Sequence, residues 1–287
     1  MTLSVLFCAD PLRPRRVDEH FHAEAEILRA SGGAPILLDL EALRGGDAAE
    51  AVRRVPRGAG ALWYRGWMLS AAEYHALAKA LVARGAPMMT PPDSYQRAHE
   101  LPGWYDTFAG LTPQSAWLAL MPRELPASGR LADVARELPP GPLVVKDYVK
   151  SRKHEWDEAC YVPDSSDTAA LARVVHRMVE LQDEFLTGGV VLRAFEEYTT
   201  AEARVWWVDG DPVLVGPHPD TPDADAFPDL DPVRPAVRAL GCRFVTTDLA
   251  RRVDGAWRVV EVGDGQVSDL HTGADVGDLY FHLPDPG

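Results

Sequence analysis

Two Asp-Gly steps, Asp209-Gly210 and Asp254-Gly255, constrain this chain more than any other feature of its sequence. Each lies between apolar runs: residues 203–208 and 212–215 flank the first, residues 243–249 and 257–262 the second. Asp-Gly between such runs marks a tight hairpin, because the turn that suits the twist of paired strands needs positive φ at its central positions. The chain after Gly188 is therefore expected to be mostly antiparallel strands, with residues 190–195 the first of them.

The front of the chain is patterned differently. Residues 4–9 form a short apolar run ending in Asp10-Pro11, which predicts a buried strand leaving into a loop. Residues 17–31 carry Phe21, Ala25 and Leu28 at helical spacing and stop at Gly32-Gly33. Strands are expected at residues 35–40, 59–64 and 87–90, and a helix over 71–84, opened by Ser70 with Glu73 in the capping-box position. Strands alternating with helices predict an α/β layer with a largely parallel sheet. After Pro113 the pattern predicts a helix over 114–120, strands at 142–150 and 158–163, and an amphipathic helix over 168–186. The expected fold class is α/β, with an α+β C-terminal part. Residues 1–113 form an α/β domain and 114–287 a second one, split into a small lobe (114–187) and a C-terminal lobe (188–287).

Bulk properties remove several function classes. A formal net charge of −14 disfavours broad binding to nucleic acid or anionic membranes, which needs clustered cations. No stretch approaches the roughly 20 apolar residues of a membrane helix, and the first ten residues show no signal-peptide pattern. Cys8, Cys160 and Cys242 match no ligand spacing, and a reduced, cytoplasmic protein is the simplest reading. No heptad or apolar face marks an oligomer interface, so the oligomeric state stays open.

The second hairpin carries chemistry. With Asp254-Gly255 as a two-residue turn, Val253 faces Ala256, Leu249 faces Val260, and Asp248 faces Glu261. Two opposed carboxylates on one face repel each other, and a semi-buried unpaired anion costs several kcal/mol, as an order of magnitude. A divalent cation resolves both problems, and carboxylate oxygens completed by water and phosphate describe a Mg²⁺–nucleotide site. Asp264 is a candidate third ligand. The alternative is a longer turn, whose slipped register sends either acid to the other face.

Lys146, Tyr148 and Lys150 would share one face of the strand at 142–150, and two ammonium groups there suit a polyphosphate. The basic segment 151–156 follows as a candidate cover. An edge strand that uses lysines to deter aggregation is the competing reading. Arg193, inside an apolar run, calls for an anion, either a ligand or a structural partner such as Glu196 or Asp147. Glu202 and Arg204 share a face and read either as a cross-strand pair or as ribose and substrate contacts. His154, His176, His218 and His271 show no zinc spacing and read as surface histidines, and residues 218–231 read as a solvated loop. Trp63, Trp67, Trp104 and Tyr105 are candidate walls of an apolar pocket, although tryptophans more often belong to a core. No nucleophile elbow, P-loop or dinucleotide fingerprint is present in the sequence.

Taken in order, these pieces resemble the ATP-grasp superfamily, over about residues 114–270. Lys146 in Val-Val-Lys is similar to the lysine that contacts nucleotide phosphates. The strand ending in Phe195-Glu196-Glu197-Tyr198 resembles the hinge that holds adenine, and Glu202 stands where ribose is usually bound. Asp248 and Glu261 resemble the Mg²⁺ ligands. Lys146, Lys150 and Arg193 together resemble a compact bacterial and phage clade marked by one arginine and two lysines. The N-terminal part resembles the preceding domain, which commonly supplies part of the substrate site, and Arg65 is the candidate there. The chain departs from the pattern twice: Glu261-Val262-Gly263 replaces Glu-x-Asn, and the segment 151–156 replaces a Gly-rich phosphate loop.

The resemblance implies an ATP- and Mg²⁺-dependent ligase. Lys150, Arg193 and Arg204 would stabilise transfer of a phosphoryl group to a carboxylate on a small-molecule or peptide substrate, which an amine or another nucleophile then attacks. The competing readings are a kinase, a nucleic-acid end-modifying enzyme and a non-catalytic nucleotide-binding module.

Overall fold

The computed structural model describes residues 3–224 and 226–284. The first region contains β1 (Ser4–Cys8), α1 (His22–Ala30), β2 (Ala34–Leu38), α2 (Leu40–Arg44), α3 (Ala48–Ala51), β3 (Trp63–Arg65), α4 (Ala71–Val82), α5 (Pro92–His99) and α6 (Leu101–Trp104). The second contains β4 (Ser115–Ala119), α7 (Ser128–Ala135), β5 (Leu143–Asp147), β6 (Tyr161–Val162), α8 (Thr168–Gln182) and β7 (Gly189–Ala194). The third contains β8 (Tyr198–Val208), β9 (Asp211–Pro217), α9 (Arg234–Leu240), β10 (Phe244–Arg252), β11 (Trp257–Asp264) and α10 (Val276–His282).

Each region has its own sheet. The first is parallel, in the order β2-β1-β3. The other two are antiparallel, β4-β7-β5-β6 and β11-β10-β8-β9. Helix α4 begins with the capping box that Ser70 and Glu73 announce, both reciprocal bonds being present. Helix α8 is capped by Asp167, which accepts from Ala169 N and Ala170 N, and buries Leu171, Val174, Val175, Met178 and Val179 against β4, β5 and β7. Each such side chain removed from water contributes roughly 1.5–3 kcal/mol. The helix stops at Gln182, before Leu186, where Asp183 takes φ +49°.

The first and third regions share a core. Val5, Phe7 and Trp63 of the parallel sheet pack with Trp206, Val208 and Phe244 of the third sheet and with Leu279 and Tyr280 of α10. The other face of the third sheet, through Val205, Trp207, Val245 and Leu249, packs on α9 and on Ala98, Leu101 and Trp104.

Several local expectations give way to tertiary context. Residues 114–120 form not a helix but strand β4, which pairs with β7 from Ser115↔Arg193 to Ala119↔Gly189. A short apolar run serves either state, and here the edge of β7 decides. Residues 87–90 make only an isolated bridge, Leu62↔Met88. The segment 158–163 is a π-helical turn, Trp156–Cys160, followed by the two residues of β6.

The two Asp-Gly hairpins behave differently. Asp209 and Gly210 have φ +49° and +83° and join Val208 directly to Asp211, the expected two-residue turn. At the second, Arg252 N donates to Ala256 O and Gly255 takes φ +90°, so the loop has three residues, Val253-Asp254-Gly255. That correction alone would move Glu261 off Asp248. A bulge compensates: Leu249 faces Val259 while Asp248 faces Glu261, so Val260 is the extra residue.

Candidate active site

The second and third sheets face each other across a cleft of about 340 Å³. Its floor on one side is β5 and β7, on the other β8, β10 and β11.

On the β5–β7 side, Lys146 and Arg193 are 5% and 7% exposed. Lys146 Nζ donates to Val149 O at 3.1 Å. Burial lowers its pKa, and the nearby Glu261 carboxylate opposes that shift. Arg193 Nε donates to Ser115 Oγ at 3.1 Å and Nη1 to Val260 O at 2.6 Å. The second contact uses the carbonyl of the bulged residue. Arg193 Nη2 is buried with no hydrogen-bond partner among the described residues. A buried guanidinium nitrogen left over in this way costs free energy until an anion meets it.

On the opposite side, Asp248 is the centre. Arg204 lies beside it on β8 and Glu261 on β11. Arg204 donates from Nε and Nη2 to the two Asp248 oxygens, both at 2.8 Å. Burial would raise the Asp248 pKa, but the bonds and charge of Arg204 and His218 outweigh it and hold the carboxyl below its usual range. Arg204 Nη2 also lies 2.8 Å from His218 Nε2, and Nη1 donates to Asp269 O at 3.0 Å. Glu202, two residues from Arg204 on the same face, is half-buried, and burial raises its pKa. The side chains of Glu202 and Glu261 accept no hydrogen bond among the described residues, and both line the cleft. Donor atoms of Glu202, His218 and Asp248 lie within 4.8 Å of one another.

The hinge between β7 and β8 is also ordered by charge. Glu196 is paired with Arg258 at 3.0 Å and accepts from Tyr198 Oη at 2.9 Å. Glu196 and Tyr198 line the cleft. Glu197 is exposed, and its carbonyl accepts from Val253 N.

Besides the exposed Glu197, three further expected site residues are not brought to this cleft. Strand β5 ends at Asp147, and Asp147 N bonds Lys150 O, so the chain reverses instead of continuing. Lys150 is therefore on an exposed turn and not in line with Lys146. Asp264 faces Val245, on the sheet face opposite Asp248 and Glu261. It is fully buried, accepts from Gln266 N and Nε2 at 2.9 Å, and is pushed up to about 7 by burial. Arg65 is 2% exposed, bonded twice to Glu24 and held between the rings of Phe21 and Trp206. It clamps the first region to the third.

Sequence reasoning missed His218, whereas Lys153 and Trp156 belong to the segment 151–156 expected as a cover, and both line the cleft. His218 is 9% exposed at the end of β9, not solvated. The signal was the first hairpin, but a bulge between Trp206 and Trp207 shifts the register, so counting from the turn misplaces everything beyond it. Lys153 reaches across the mouth of the cleft to Asp220 at 2.6 Å. Trp156 stacks on Tyr161 beside Phe195.

Gly263, which stands where the family pattern has Asn, is held small by its neighbours. A Cβ there would stand 2.9 Å from Thr246 Oγ1 and 3.3 Å from Ser268 Oγ, hydroxyls that bond each other at 2.8 Å. The space an asparagine would need is filled.

The model of an ATP-grasp domain family, the third family of the clade named for its arginine and two lysines, matches residues 135–283, more than half of the chain. The chain belongs to the ATP-grasp superfamily. Solved structures of like fold include the following. D-cycloserine synthetase DcsG is 18% identical with a TM-score of 0.66, covering 97% of both chains. A RimK domain ATP-grasp protein from Sphaerobacter thermophilus is 16% identical with a TM-score of 0.61, covering 98% of this chain and 99% of its own. ATP-grasp ligase PsnB, complexed with minimal precursor, Mg and ADP, is 17% identical with a TM-score of 0.56, covering 97% and 96%. No protein of curated function matches the sequence. Among the described residues, no helix of this ATP-grasp protein is long and apolar enough to cross a membrane.

Proposed function

We propose that this chain is an ATP- and Mg²⁺-dependent ligase that activates a carboxylate as an acyl phosphate and joins it to an amine or another nucleophile. The observation that carries the reading is the charge arrangement of the cleft. Buried Lys146 and Arg193, one with an unpartnered nitrogen, oppose Asp248, Glu202 and Glu261, of which the two glutamates lack hydrogen bonds among the described residues. A polyphosphate carrying a cation is complementary to both sides at once.

The donor set fits Mg²⁺. Glu261 offers free oxygens, and Asp248 Oδ1 keeps a lone pair beyond the one used by Arg204, while Oδ2 meets both Arg204 and His218. When bound, Mg²⁺ would neutralise charge on phosphate oxygens and on these carboxylates. Lys146 and Arg193 would hold the phosphates, and Glu202 the ribose, with Glu196, Glu197 and Tyr198 alongside the base. Arg204 holds the Asp248 carboxylate in one orientation and keeps it ionised. A substrate carboxylate oxygen attacks the γ-phosphorus as its bond to the ADP oxygen breaks. An amine nitrogen then attacks the acyl carbon, inorganic phosphate leaves, and the amine loses a proton. The catalytic contribution is positioning and preorganised charge rather than covalent participation. The ligases of like fold support this reading, and a small-molecule or peptide carboxylate is the expected substrate.

Calorimetric titration with ATP, with and without Mg²⁺, tests the proposal on wild type and Glu261→Gln. Mg²⁺-dependent binding that is lost in the variant is the expected result. A folded wild type that binds no ATP overturns it.

A further inference from the structure

The segment between β5 and β6 borders the cleft through Ser151, Lys153, Trp156 and Cys160. Both of its ends are pinned. Ser151 makes an antiparallel bridge to Lys146, and Trp156 stacks on Tyr161 with ring centroids 5.2 Å apart. Residues 151–160 contain no glycine, and none of them has positive φ. The segment therefore forms no left-handed nest of N–H groups that could cradle an anion, and what it offers a polyphosphate must come from side chains.

Three side chains of the segment can carry positive charge, and two are set aside by their positions. Arg152 donates to Glu155 at 2.8 Å, and His154 is exposed and does not line the cleft. Lys153 does line it, and its Nζ donates to Asp220 Oδ2 at 2.6 Å. Among the described residues, this is the one ion pair that joins residues 115–194 to the third region. Its side chains are 54% and 56% exposed, and an ion pair so open to water is weak and readily exchanged. A phosphate group, with more charge and more acceptor oxygens than one carboxylate, is the stronger partner for an ammonium.

The ammonium already stands in the field of the acids inside the cleft. The bond to Asp220 raises its pKa against partial burial, and the charges of Glu202 and Glu261 act in the same direction. Terminal phosphates held between Lys146 and Glu261 would enter that field. Losing Lys153 would not strand Asp220. Its backbone N donates to His218 Nδ1 at 3.1 Å, and the charges of His218 and Arg204 also favour its ionised form.

We propose that Lys153 is a phosphate ligand that exchanges partners, leaving Asp220 for the terminal phosphates when a nucleoside triphosphate binds. The assignment rests on the nucleotide site proposed above. Calorimetric titration of the full chain with AMPPNP, and separately with ADP, both with Mg²⁺, tests it on wild type, Lys153→Met and Asp220→Asn. Unchanged thermal unfolding establishes that the variants, altered at half-exposed positions, are folded. Lys153→Met should weaken AMPPNP by roughly tenfold or more and ADP by less. Asp220→Asn removes the competing acid and should tighten AMPPNP by about two- to fivefold. A clamp that only held the lobes together would lose affinity when broken from either side, so the opposite signs distinguish the two roles. AMPPNP binding that is unchanged in Lys153→Met, weakened there no more than ADP, or no tighter in Asp220→Asn overturns the exchange. Wild type that binds neither nucleotide sinks the nucleotide site itself, and the exchange with it. Wild type that binds both, with variants that fail these expectations, sinks the exchange alone.

Discussion

The two sheets that face each other across the cleft solve the problem of buried charge in opposite ways. On the β5–β7 side, Lys146 and Arg193 are buried with backbone carbonyls and one serine hydroxyl for company, and a guanidinium nitrogen is left over. On the β8–β10–β11 side, the deepest charge, Asp248, is fully matched by Arg204, while the glutamates flanking it are not. One side is preset as a rigid anchor around an ion pair. The other stores uncompensated positive charge. Had the cleft existed only to hold the lobes together, Lys146 and Arg193 would be paired with Glu202 and Glu261 across it. They are not, among the described residues, and the unmatched charges of both signs need a third body.

The comparison can be broken most severely at its most satisfied pair. Asp248→Asn removes the charge that Arg204 holds, and ATP turnover should fall by roughly 10²–10³, in the range seen when a preorganised electrostatic group is removed; steady-state ADP release checks it. Arg204→Ala leaves a buried carboxylate without its partner, and unfolding in urea should show a loss of about 3–5 kcal/mol. Arg193→Lys keeps the charge but gives up the planar fork, so the KM for ATP should rise about tenfold while the fold survives. A rise confined to kcat would mean that Arg193 does not hold the nucleotide in the ground state.

A fourth test leaves the cleft for Asp264. Its carboxyl, raised to about 7 by burial, keeps its proton in the folded chain over a range where the unfolded chain has lost it. The folded state then binds more protons, so stability falls as pH rises from the ordinary carboxylate range through about 7. Thermal unfolding between pH 5 and 7 should show that decline in wild type and a flatter profile in Asp264→Asn. The smallest effect is expected at Lys150, exposed on its turn. Lys150→Gln should leave the KM for ATP within about twofold, the scale of an ordinary surface substitution.

Much of the site was legible because strand alternation is local. The apolar run around Lys146 and Arg193 marks both as inward-facing whatever the partner strand. The pairing of Asp248 with Glu261 was also reached from the sequence, though by two errors that cancel: the loop is one residue longer than Asp-Gly suggests, and the bulge at Val260 restores the count. Lys150 and Asp264 were misplaced for different reasons. The sequence does not announce the reversal at Asp147, so alternation along β5 never reaches Lys150, whereas along β11 alternation holds and puts Asp264, three residues from Glu261, on the opposite face.

The sequence by itself determined the parallel front and antiparallel back of the fold, and the acid and basic strands of the ATP-grasp domain. These follow from side-chain periodicity and turn chemistry, which act over a few residues. Only the tertiary structure decided that residues 114–120 pair as a strand, that His218 joins Arg204 and Asp248, and that Arg65 is a clamp between regions. Those outcomes depend on which edge, bulge or buried partner lies beside a residue from far along the chain, and no local rule carries that information.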